Sequence, residues 1–93
     1  MRMSDRRLHA DDIVQHFKRE LLSEEDAKAN VYLYKIVGIA EHSETKESMV
    51  VYQALYGDFK MYVRPYAMFM GHVDKKKYPN VKQEYRFEKV KKN

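Results

Sequence analysis

The chain contains no cysteine, which excludes a disulfide framework, cysteine-ligated zinc and thiol catalysis. Its three glycines are scattered, so no glycine-rich loop is available to cradle a phosphate. No Gly-x-Ser-x-Gly elbow presents a serine nucleophile. No apolar run approaches the roughly 20 residues that a membrane-crossing helix needs. The opening residues Met1–Arg7 are basic, but no apolar stretch follows them, so no secretory signal is expected. Repeats and low-complexity tracts are also missing. What is present is a chain of 93 residues with 44% apolar content. That is too short for two independent cores and apolar enough to argue against wholesale disorder. A single cytoplasmic domain spanning residues 1–93 is the expectation.

Charge is unevenly distributed. Residues 1–60 hold nine Lys/Arg and eleven Asp/Glu, whereas residues 61–93 hold nine and three, giving nets of −2 and +6. The excess lies in Lys75, Lys76, Lys77, Lys82, Arg86, Lys89, Lys91 and Lys92. Such a cluster attracts phosphate backbones or an acidic partner, or else forms a solvated loop and tail that aid solubility.

Residues 1–12 are polar, lack apolar periodicity and read as a loosely held arm. Ile13–Lys18 fits two patterns. As a strand it places Val14 and His16 on one face and Ile13, Gln15 and Phe17 on the other; Ile13, Val14, Phe17 and Leu21 also fit a helix. Ser23-Glu-Glu-Asp26 resembles a helix cap with acids in the first turn. It predicts one or two helical turns, closed at Asn30, within an insert over residues 19–30.

From Val31 branched and aromatic residues dominate. Residues 31–41 and 49–56 read as a hairpin, with Gly38 marking a bend or bulge. Both faces of the first of these strands are largely apolar, which suits a central position. Gly57-Asp58 supplies a tight turn into residues 60–64. Pro65 ends that strand and opens one helical turn over residues 66–70. Residues 71–83 are polar and lysine-rich, and residues 85–90 close the β core that spans 13–90, with Tyr85 and Phe87 inward. The expected fold is mostly β: a small, antiparallel, partly open barrel of the SH3-like kind with one short helical turn before the last strand. An α+β roll with residues 11–22 helical is the alternative.

Several of these segments together carry a resemblance. They are Val14-Gln-His-Phe-Lys18, Lys35-Ile-Val-Gly-Ile-Ala-Glu-His-Ser-Glu-Thr45, Val50-Val-Tyr-Gln-Ala-Leu-Tyr-Gly-Asp58, Val63-Arg-Pro65 and Met68-Phe69. In this order they resemble the family called domain of unknown function 1653. Tyr-Gln-Ala-Leu-Tyr-Gly-Asp followed by Val-Arg-Pro is the specific part, and Tyr85-Arg-Phe-Glu matches more weakly. Two departures stand out. A glycine usually follows His-Phe-Lys, where this chain has the insert Arg19–Asn30. A tryptophan often precedes Val-Arg-Pro, where this chain has Tyr62. The resemblance implies a strand at residues 13–18 and brings no reaction, cofactor or ligand.

No catalytic constellation emerges. Ser43 and Ser48 lie in a polar hairpin loop, and Glu41 and Glu44 lack an apolar pocket that would separate their pKa values. His16, His42 and His72 share no ligand spacing, so no metal or other cofactor is expected. The function expected by elimination is a non-catalytic binding module for a protein, peptide or small ligand. Its candidate surface is Tyr56, Asp58, Tyr62, Arg64 and Tyr66, gathered around one turn and one strand end. Tyrosines offer stacking faces and arginine offers a fork of donors for an anion; an Asp58–Arg64 ion pair that only fixes the turn is the competing explanation. The alternative function is nucleic-acid binding through Lys75, Lys76, Lys77, Lys89 and Lys91.

Overall fold

The structure is a computed structural model that describes residues 6–90. Five strands form one antiparallel sheet: β1 (Ile13–His16), β2 (Leu33–Glu41), β3 (Ser48–Ala54), β4 (Met61–Pro65) and β5 (Phe87–Lys89). Their order is β4-β3-β2-β1-β5, which makes the doubly apolar β2 the central strand. Two short helices, α1 (Glu24–Lys28) and α2 (Tyr66–Phe69), interrupt the strands.

Local chemistry sets the boundaries. The strand pattern at residues 13–18 stops at His16, whose Nδ1 accepts from the Lys18 amide and starts a 3-10 turn over Phe17–Leu21. Ser23 Oγ accepts from the Asp26 amide at the start of α1. The Arg19 guanidinium donates to the Ala27 and Val31 carbonyls at the other end, where carbonyls lack helical partners. Asn30 and Tyr32 both adopt positive φ, so the chain turns twice before β2 and the strand begins at Leu33 rather than Val31. The register slips between Ile36 and Gly38, leaving Val37 as the extra residue of a bulge. Gly57 takes the φ of +60° that the β3–β4 turn requires.

Pairing alternation places Val14, His16, Tyr34, Ile36, Val50, Tyr52, Ala54, Tyr62, Arg64 and Phe87 on one face. The sheet curls strongly toward it. Three strand spacings separate β5 from β3 and would keep them about 14 Å apart in a flat sheet, yet the Phe87 and Tyr52 ring centroids lie 5.7 Å apart. The curl does not close into an SH3-like barrel by hydrogen bonding: β4 and β5 remain edges. The α2 turn packs on the inner face instead. Its Phe69, fully buried, stacks on Phe87 at 4.0 Å and 5°, an aromatic contact worth about 1 kcal/mol beyond its burial.

A second, smaller apolar cluster lies off this face. Phe17, Val73 and Val81 are buried there, with Tyr78 packed against them. It orders the lysine-rich segment that the sequence presents as a polar loop. Residues 71–73 run back along 84–86 through the Val73–Glu84 and Arg86–Gly71 backbone bonds, so the last strand is confined to Phe87–Lys89. The arm is also held, over its described residues. Asp11 and Asp12 exchange backbone bonds with Ile36, Leu8 packs on the main core and the Arg6 guanidinium sits 3.4 Å over the Tyr85 ring. Residues 1–5 lie outside the described residues.

Candidate ligand-binding face

Phe87 is the hub of the inner face. His16 meets its ring edge-on at 5.0 Å, Tyr34 and Tyr52 at 5.8 and 5.7 Å, and the Arg64 guanidinium lies 5.7 Å from its centroid. Around this hub the rings form a continuous array. Tyr62 sits 5.7 Å from Tyr52 and 6.4 Å from Tyr34, and Tyr32 lies 5.5 Å from His16 and 6.2 Å from Tyr56. The Tyr34 and Tyr56 hydroxyls share a hydrogen bond of 2.9 Å. Tyr32 holds its place at φ +70°, a conformation costly for a bulky residue and common where geometry is functional.

The electrostatics of this face are one-sided. Burial, and then the charges of Lys18, Arg64 and Arg86, push His16 down to a pKa of about 4. Its ring is therefore neutral at pH 7, as its bond from the Lys18 amide to Nδ1 requires. Lys18, Arg64 and Arg86 make no ion pair with a carboxylate among the described residues. Burial and the Tyr56 hydroxyl push the Tyr34 phenol far up. Burial also raises Tyr52, with Arg64 pulling the other way. Both tyrosines therefore stay neutral and offer hydroxyls rather than charge.

The structure brings three of the five expected surface residues, Tyr56, Tyr62 and Arg64, to this array and sets a fourth, Tyr66, against the core beside it. Tyr56 and Tyr62 flank Tyr34, Arg64 borders Phe87, and Tyr66 packs half-buried against the same core from the first turn of α2. Asp58 stands apart, exposed at the β3–β4 turn, and forms no ion pair with Arg64. His16, Tyr34, Tyr52 and Phe87 complete the array. Their signal in the sequence is parity, since each falls on the inward side of its strand.

The remaining residues singled out by the sequence have other work. His42 Nδ1 accepts from the Glu44 and Thr45 amides and caps the β2–β3 loop. His72 lies 3.7 Å from Glu84 and against the Tyr85 ring. The Lys75 ammonium donates to the Val81 and Gln83 carbonyls. Lys89 pairs with Asp12 at 3.4 Å. Lys76 contributes its amide to the Asp74 carboxylate, and the Lys77 ammonium lies 5.7 Å from the Tyr78 ring. Lys91 lies outside the described residues. Of the five lysines in that cluster, only Lys76 and Lys77 are described with ammonium groups that make no hydrogen bond or ion pair. Among the described residues, no helix is long and apolar enough to cross a membrane.

Comparison with curated proteins and with solved structures gives no match. A family model does match, over residues 12–89, and that span covers all five strands and the whole aromatic array. The chain therefore belongs to the DUF1653 family, described as proteins of unknown function.

Proposed function

We propose that this domain is a non-catalytic binding module whose inner sheet face takes an anionic ligand with a flat, apolar body. One observation carries the reading: Arg64 lies beside Phe87, and it, Lys18 and Arg86 act together on His16, with no carboxylate ion-paired to them among the described residues. Arg86 is partly engaged, donating to the Met68 carbonyl, but cations without a carboxylate partner beside low-dielectric rings create a local potential that an anion relieves. Arg64 carries planar donors suited to a carboxylate or phosphate. Tyr62 and Tyr56 present ring surface at little entropic cost, the composition typical of recognition surfaces. His16, neutral at pH 7, adds no charge of its own but can share a proton with a bound acid.

A free aromatic acid and an acidic, tyrosine-containing peptide both present this chemistry. Two-dimensional NMR titrations with benzoate, uridine monophosphate, such a peptide and inorganic phosphate separate the sources. The expected result is a shift of Tyr62, Tyr56 and Arg64 resonances by a flat anion at low millimolar concentration or tighter, with inorganic phosphate weaker. Arg64→Gln should weaken that binding about tenfold, the effect of losing one charged hydrogen-bonding partner. No inner-face shift up to about 10 mM of any probe, beyond even fragment-scale affinity, overturns the reading. So does binding that Arg64→Gln leaves unchanged.

A further inference from the structure

The two edges of the sheet are unlike. β5 is three residues long, and the chain just before it is folded back on residues 71–73. β4 runs five residues as an open edge. Its Met61 and Val63 are 57% and 59% exposed and lie between Lys60, just before the strand, and the inward-facing Arg64. Natural sheets usually blunt such an edge, because unpaired backbone groups flanked by apolar side chains template the addition of another strand.

The backbone phase of this edge is defined. The Ala54 amide donates to the Lys60 carbonyl. Alternation along an antiparallel ladder then turns Tyr62 and Arg64 backbone groups toward β3 and those of Met61, Val63 and Pro65 outward. Pro65 lacks its amide on the open side, so the Met61 carbonyl of an added strand receives no bond from it and pairing there rests on Met61 and Val63.

We propose that β4 pairs antiparallel with β4 of a second copy of this chain about a two-fold axis at Val63, joining two five-stranded sheets into one. This register is the chemically self-complementary one. Val63 faces Val63 and Met61 faces Pro65 on the outer side, while Tyr62 of each copy faces Arg64 of the other on the inner side. Cross-strand apolar and cation–aromatic pairs of this kind are stabilising. Sliding the pairing by two residues one way sets Arg64 against Arg64. Sliding it the other way sets Arg64 against Lys60. Both oppose like charges, and a one-residue slip pairs outward-facing backbone groups with inward-facing ones. The two-fold also lays the two inner faces side by side, with Tyr62 of the second copy next to Arg64. This inference rests on the edge alone and stands whether or not the inner face binds an anion.

Sedimentation velocity over roughly 5–500 µM tests it, a range that brackets the affinity expected of a small interface. The expected result is a concentration-dependent dimer that Val63→Lys shifts to monomer by at least about tenfold in dissociation constant. Far-ultraviolet circular dichroism of the variant should match the wild type, since Val63 is exposed. Because the native chain lacks cysteine, Val63→Cys supplies a second readout. Residues facing each other at a hydrogen-bonded pair lie about 5.5 Å apart between Cα atoms, within disulfide reach. Mild oxidation should cross-link Val63→Cys and leave Val37→Cys, on the outer face of β2, as monomer. A wild-type monomer throughout the range overturns the proposal. A dimer that Val63→Lys leaves intact, or one that cross-links through Val37→Cys, overturns it in favour of another interface.

Discussion

Phe69 and Phe17 each anchor an apolar cluster, and the two clusters are assembled from different materials. Around Phe69 the chain buries Val14, Tyr34, Ile36, Val50, Tyr52 and Phe87, nearly all strand residues whose alternation decides which way they point. Around Phe17 it buries Val73 and Val81, which belong to no strand or helix. The backbone there is held by polar side chains. Gln83 is 5% exposed; its amide nitrogen donates to the Gln15 and Tyr85 carbonyls, and its oxygen accepts from Gln15 Nε2. Glu20 accepts from the Lys82 and Gln83 amides. A sheet can satisfy its own backbone, so its core needs only apolar side chains; an irregular segment cannot, and buries polar ones to do the same job.

The sharpest way to break this contrast is at Phe69. Phe69→Ala removes a fully buried ring that stacks on Phe87 and should cost about 3–5 kcal/mol. That is a large part of the roughly 5–14 kcal/mol typical of a domain this size. Urea denaturation should show a much lower midpoint with an unchanged slope. A loss below about 1 kcal/mol would mean that the α2 plug is not integral to the core.

Gln83→Leu probes the other cluster. It keeps the volume but leaves the Tyr85 carbonyl and the Gln15 side-chain amide without their Gln83 partners, so the expected loss is about 2 kcal/mol. Amide exchange should accelerate first in residues 71–86, and β2 and β3 should stay protected until global unfolding. Uniform acceleration across the sheet would show that the two clusters form one cooperative unit.

The difference between the clusters also explains what the sequence discloses. The five strands are legible because aromatic and branched residues alternate with a period of two, and because Gly57 and Pro65 punctuate them. Tyr56, Tyr62, Arg64 and Tyr66 are legible as a group because a short hairpin brings nearby residues together. The second cluster is not, since Val73 and Val81 stand eight residues apart among lysines with no period to mark them. His16 is hidden for another reason. Its neighbours Phe87, Arg64 and Arg86 are more than 45 positions away, and only the curl of the sheet delivers them. The open edges of the sheet agree with the partly open fold expected, while the place of α2 on the inner face is hidden on the same ground, because nothing in the strand pattern announces it.

His16 links the clusters, lying between Phe87 on one side and Phe17 on the other, and it should make stability depend on pH. Its folded pKa of about 4 is below the unfolded value of 6.5. Between these values the unfolded chain binds the extra proton, so stability is highest above pH 6.5 and declines as pH falls toward 4. The ring is only partly buried, and solvent screening limits the loss to about 1–2 kcal/mol. His16→Asn keeps an acceptor for the Lys18 amide and should remove this decline in thermal melts between pH 7 and 4. An identical pH profile in wild type and variant would refute the assignment.

The smallest effects separate lysines that look alike. Lys75 and Lys76 are adjacent, both exposed as residues and both part of the same basic run. Only the Lys75 ammonium bridges the Val81 and Gln83 carbonyls and so ties the loop across the second cluster. Lys75→Met retains the aliphatic stem and removes the donor; it should cost about 1 kcal/mol, the net worth of charged hydrogen bonds at a partly solvated site. Lys76→Met should change stability by less than about 0.5 kcal/mol, as substitutions on an open surface do. The same pair tests the nucleic-acid alternative in fluorescence anisotropy with single-stranded RNA. An ammonium already held by two carbonyls is poorly placed to neutralise a phosphate. Any real phosphate contact should therefore weaken more on losing Lys76 than on losing Lys75, and should reduce the dependence of binding on salt. Equal stability costs for the two variants would show that the Lys75 bridge contributes nothing, and with it the polar stitching that distinguishes this cluster from the sheet.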